Sequence, residues 1–63
     1  MNIEYIRKAR IELNLTQKQV AERLNISYIM YGSIERGVRG ASVELLVNII
    51  KLLKLDPVKL LNL

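Results

Sequence analysis

Apolar side chains along this chain return every three to four residues, and polar capping residues interrupt them at short intervals. That rhythm predicts short helices rather than strands. The first helix starts behind Asn2, a good N-cap residue, and sets Ile3, Ile6, Arg10 and Leu13 on one face, so an arginine sits on an otherwise apolar stripe. Asn14 follows where asparagine tolerates left-handed backbone, and the helix is expected to end there. Thr16 caps a second helix over Gln17–Leu24 with Val20, Ala21 and Leu24 turned inward, and Asn25 offers a left-handed residue at its close. Ser27 caps a third, Tyr28–Arg36, whose Met30, Tyr31 and Ile34 share a face and which Gly37 closes.

Between the second and third helices only Asn25, Ile26 and Ser27 remain. A three-residue turn with a left-handed first member redirects the chain sharply, as in a helix-turn-helix, rather than folding it back as an antiparallel hairpin. After the loop Gly37–Ala41, Ser42 caps a longer helix with Leu46, Ile49, Ile50 and Leu53 as its inner stripe. Asp56-Pro57, an N-cap acid followed by proline at the first helical position, opens a short fifth helix at Val58–Leu61. No repeat, low-complexity segment or linker interrupts this order, so residues 1–63 are expected to form one all-α domain.

Composition narrows the chemistry. A chain of 63 residues buries only about 60% of its unfolded surface, so stability is a pressing matter. With no cysteine and no histidine, neither disulfides nor a Cys/His zinc site can staple the fold, and no cofactor is expected. Core packing must serve instead, and a 51% hydrophobic composition can supply it. No apolar run approaches the about 18 residues that span a bilayer, and Met1-Asn2-Ile3-Glu4 lacks the layout of a secretory signal. No membrane partner and a cytoplasmic location are therefore expected. The formal charge of +4 favours a polyanionic partner, and its excess lies mainly in residues 1–40. The acids Glu4, Glu12, Glu22, Glu35, Glu44 and Asp56 fall on separate faces or at caps, so no catalytic site and no small-molecule ligand are anticipated.

The run Ile6-Arg7-Lys8-Ala9-Arg10, then Leu15-Thr16-Gln17, Val20 to Ser27, and Ile34-Glu35-Arg36-Gly37 resembles, in order and spacing, the lambda-repressor-like helix-turn-helix family of phage repressors, Cro proteins and bacterial regulators. The likeness covers essentially the whole chain. It implies a compact five-helix bundle that binds double-stranded DNA, with the third helix in the major groove. It further implies a salt bridge between Arg10 and Glu35, and an arginine on an apolar stripe needs such a partner. Ala21 is small where the second and third helices cross, a purely architectural role.

For the nine candidate contacts the resemblance divides the work. Gln17 is expected to grip the DNA backbone at the first turn of the second helix, where free N–H groups favour a phosphate oxygen. Lys18 beside it stands equally well as a phosphate contact or a solvated surface group. Arg36 and Arg39 are expected at phosphates after the third helix. Ser27 caps that helix at the same interface. Tyr28, Ile29, Gly32 and Ser33 should form its exposed front, the positions from which base edges are read. These four depart from the amide and guanidinium groups common there, leaving direct readout thin and giving DNA shape a larger part. Further departures are Gly32 within a helix, Tyr31 where Ile or Val is usual and hence expected to protrude or repack, Ala41 in place of proline, and Lys54 in place of glycine. They suggest a marginal, altered or even engineered variant.

If Leu46, Ile49, Ile50, Leu53, Leu55 and Leu60 fill the core, then Leu45, Val47, Leu52, Val58, Leu61 and Leu63 exceed what a bundle of this size can bury. An apolar surplus on a small protein marks a subunit contact. A homodimer through Val58, Leu61 and Leu63 is therefore expected. The leading reading is a repressor or related regulator that occupies an operator. The alternative is a protein-interaction or antitoxin-like helix-turn-helix module with weak or lost DNA readout.

Overall fold

Each change of direction in the chain is made by a residue suited to it. The computed structural model describes residues 1–63 and contains five α-helices: α1 (Ile3–Glu12), α2 (Gln17–Leu24), α3 (Tyr28–Glu35), α4 (Val43–Leu53) and α5 (Pro57–Leu60). Every N-cap side chain accepts a hydrogen bond from a backbone N–H that the helix leaves free: Asn2 from Tyr5, Thr16 from Gln19, Ser27 from Met30, Ser42 from Leu45 and Asp56 from Val58. At α2 the bond is reciprocated, because the Thr16 N–H donates to Gln19 Oε1 at 2.8 Å. Left-handed backbone occurs at Asn14, Asn25, Gly37, Lys54 and Asn62. Lys54 pays for that geometry where glycine would not, by about 1 kcal/mol.

The helices close around one apolar cluster of Ile6, Val20, Ala21, Tyr31, Ile34, Leu45, Ile49, Leu53, Leu55 and Leu60. One expectation changes here, and one alternative is decided. In α4 the innermost line is Leu45, Ile49 and Leu53, spaced four residues apart, while Leu46 and Ile50 lie half-buried on its flank. Leu45 is thus core rather than surplus, and Leu52 packs against the cluster as well. Tyr31 does not protrude; it is the largest fully buried side chain, filling with a ring the place expected for an aliphatic residue. α3 ends one residue earlier than the sequence suggests, with Arg36 as its C-cap, and α5 is shifted one residue toward the N-terminus.

The two ends of the chain meet. The Asn2 N–H donates to the Leu60 carbonyl at 2.7 Å, and the Asp56 N–H donates to the Tyr5 hydroxyl at 2.9 Å. α5, only four residues long, is held against α1 by these bonds and by buried Leu60. No helix is long and apolar enough to cross a membrane.

Candidate nucleic-acid interface

The angle between α2 and α3 is fixed by a short turn. Asn25 takes φ 58° and ψ 40°, and the Ile26 N–H donates to the Ala21 carbonyl at 3.0 Å. Ala21 is buried at the crossing, where any larger side chain would force the helices apart.

Behind α3 lies a polar junction centred on Glu35, which is 1% exposed. Arg10 engages its carboxylate with two bonds, Nε donating to Oε2 at 2.7 Å and Nη2 to Oε1 at 3.1 Å, while Arg10 Nη1 donates to the Leu15 carbonyl at 2.9 Å. Two parallel N–H···O bonds give this pair a defined orientation as well as attraction. Gln17 Nε2 donates to Glu35 Oε1 at 3.1 Å, and Arg7 Nη2 donates to the Glu35 main-chain carbonyl at 2.8 Å. The end of α3 is therefore bound to α1 and to the start of α2. Burial opposes the charge on Glu35, but the bonds from Arg10, helped by the neighbouring Tyr31 hydroxyl and by Gln17, outweigh it and hold the carboxyl below its ordinary range. The same partner raises the pKa of Arg10 further, against a smaller opposing effect of burial. The Tyr31 hydroxyl lies beside this pair, buried, without a hydrogen bond of adequate geometry. Burial, reinforced by the Glu35 carboxylate, pushes its ionisation well above the usual tyrosine range.

The outward side of α3 is different. Tyr28 and Ile29 are 56% and 76% exposed, and Lys18, Ser27, Arg36 and Arg39 are exposed around them. Ser33 is half-buried; its Oγ donates to the Ile29 carbonyl at 3.0 Å and accepts from Arg36 Nη2 at 3.1 Å. Ser27 Oγ accepts from Met30 as the cap, which leaves its proton free for an outside acceptor. Gly32 is buried, contrary to the expected open front. The cause is two longer side chains that close over it: a Cβ there would lie 3.2 Å from Arg36 Nη1 and 3.6 Å from Gln17 Oε1. Gln17 itself turns inward to Glu35 as well as standing at the first turn of α2.

Arg7 is the member of the Glu35 junction whose part the sequence did not disclose. Its place three residues before Arg10 puts both on one side of α1, a hint that becomes informative only once the α3 terminus is known to lie opposite. No three His, Cys, Asp or Glu side chains gather in a way that holds a metal ion. The largest hollow, about 250 Å³ between α2, α3 and α4, is open and lies beside Leu24, Ile26, Met30 and Leu45.

A family model described as helix-turn-helix matches residues 6–60 of this chain. The chain belongs to that lambda-repressor-like helix-turn-helix family. Helix-turn-helix proteins of this family are DNA-binding regulators and are not typically enzymes. Its match runs from Ile6 in α1 to Leu60 in α5, so the helix-turn-helix unit of α2 and α3 and the helices that support it all lie inside it. Comparison with curated proteins and with solved structures gives no match.

Proposed function

We propose that this helix-turn-helix chain is a transcriptional repressor that reads double-stranded operator DNA with α3 in the major groove. The observation that carries the reading is the contrast across α3: its inner side is clamped through Glu35, and its outer side presents Tyr28 and Ile29 to solvent with cationic groups around them. A helix held rigidly at its back can present a fixed surface to a groove. In this reading Gln17, Lys18, Ser27 and Arg39 meet phosphates and set the register. Tyr28, Ile29 and Ser33 face base edges, with Ile29 suited to a thymine methyl and Tyr28 to either a base or a phosphate. The protein acts in the cytoplasm as a two-fold dimer through Val58, Leu61 and Leu63, all of which are exposed, Leu63 by 86%. Such a dimer sets two recognition helices about 34 Å apart, one turn of DNA.

The test is binding to a random-sequence duplex pool across a salt series. Tight binding at low salt that falls steeply as salt rises supports the proposal; weak, salt-insensitive binding ends it. Sedimentation at concentrations spanning the binding range checks the dimer, with Leu61→Glu expected to yield monomer. The exposed aliphatic Ile29 at the centre of the front favours a second reading, a protein-interaction module without DNA readout. Sequence selection separates the two, because such a module enriches no palindromic site.

A further inference from the structure

The front of α3 lacks a group with two donors in a fixed plane, the feature that discriminates base pairs most sharply. Arg36 supplies one from an unexpected direction. It is the C-cap residue, and its side chain does not project beyond the helix end but runs back along α3. Nη2 donates to Ser33 Oγ at 3.1 Å, and Nη1 lies 3.2 Å from the point that a Cβ on residue 32 would occupy. Gly32 has no positive φ, so the backbone does not call for glycine there, and glycine within a helix costs about 1 kcal/mol relative to alanine. A Cβ at 32 would press on the tip of the guanidinium, which would have to give by a few tenths of an ångström from its present seat. Ser33, whose hydroxyl is already bonded to the Ile29 carbonyl, holds the fork from the other side.

We propose that Arg36, seated over Gly32 and held by Ser33, reads a base: its paired donors take the O6 and N7 acceptors of a guanine in the major groove. This rests on the assignment of α3 as the groove helix, and it differs from a phosphate contact in what it does to specificity. A phosphate contact adds affinity for every sequence, whereas a paired contact to guanine adds it for one base. Gly32 and Ser33 are positioning residues in this account, and the half-burial of Ser33 follows from that role. Arg36 is an exposed residue, and Nη1 and Nη2 each carry a second hydrogen, so the bond to Ser33 leaves a donor on both nitrogens.

The experiment uses the full chain and a random-sequence duplex pool, followed by single-base variants of the selected site. The selected site is expected to contain a guanine whose replacement by adenine weakens wild-type binding about tenfold to a hundredfold. In Arg36→Ala that preference disappears while other positions keep theirs. If the preference survives and affinity instead falls alike for all duplexes, with the salt slope reduced by about one, Arg36 is a phosphate contact and the proposal is overturned while the groove assignment stands. If wild type selects no site from the pool, the groove assignment fails and takes this inference with it. Gly32→Ala crowds the guanidinium but favours the helix, so it is expected to weaken the guanine preference without lowering the melting temperature. An unaltered preference in that variant overturns the role given to Gly32.

Discussion

The two ends of α3 use their side chains in opposite ways. At its C-terminal end the polar groups of Glu35 have partners inside the protein: its carboxylate meets Arg10 and Gln17, and its carbonyl meets Arg7. At its N-terminal end Tyr28 and Ile29 stand exposed, and neither side chain makes a hydrogen bond. The difference shows that one helix of eight residues can be fixed at one terminus and left free at the other. Its position is set by the end that is buried, and its surface by the end that is not. A substitution at the first end changes where the helix lies, while one at the second changes only what it offers.

Arg10→Leu tests the fixed end most severely. It leaves the Glu35 carboxylate buried without its paired donor, and unfolding by urea or heat should show a loss of about 3–5 kcal/mol. Reduced DNA affinity in that variant is expected as well, and restoring conditions in which it is fully folded should recover part of it. Acid probes the same junction without mutation. The Glu35 carboxyl holds a proton less readily folded than unfolded. Its stabilising effect is therefore complete above the unfolded value of about 4.3 and is lost as pH falls through the lower folded value. Chemical denaturation at steps from pH 7 to pH 2 should trace that decline, and the decline should be reduced in Glu35→Gln.

Tyr31→Phe carries the opposite sign. It removes a buried hydroxyl that has no hydrogen bond, so thermal unfolding should show a gain of about 1–3 kcal/mol, the size of an unmet polar group. A loss would show that the hydroxyl shares in the Glu35 junction after all, and would enlarge the fixed end of α3. At the free end, Ile29→Ala should alter stability by no more than about 0.5 kcal/mol, as exposed positions do. A larger loss on calorimetry would mean that the two ends are less different than their exposure indicates.

How much of this was legible in the sequence depended on whether an interaction is local. Thr16, Ser27, Asn25 and Asp56 disclose their roles because a cap and its partner lie within three residues of one another. The Arg10–Glu35 pair joins residues 25 apart, and it was accessible only through the family likeness and the oddity of an arginine on an apolar stripe. Periodicity put Gly32 on the open front, and it carries no information about a neighbouring side chain folding over that position. The same limit explains α4. A run as apolar as Leu45, Leu46, Val47 and Leu52 lets the inner line fall on either of two adjacent rows, and only the packing against other helices selects Leu45. The other candidate contacts rest on analogy of position; of these Lys18, Ser27, Tyr28, Ile29, Arg36 and Arg39 are exposed, while Ser33 is half-buried.

The meeting of the chain ends has a consequence for motion. A helix of four residues is too short to persist by itself, so α5 exists only while it is docked. Its Leu60 carbonyl is also the acceptor for the Asn2 N–H, at the residue that caps α1. Fraying at one terminus thus removes a partner from the other, and the two ends should open together as a single cooperative unit rather than independently. Amide hydrogen exchange would register this as equal protection for the Asn2 and Leu60 N–H groups, although 58 positions separate them along the chain.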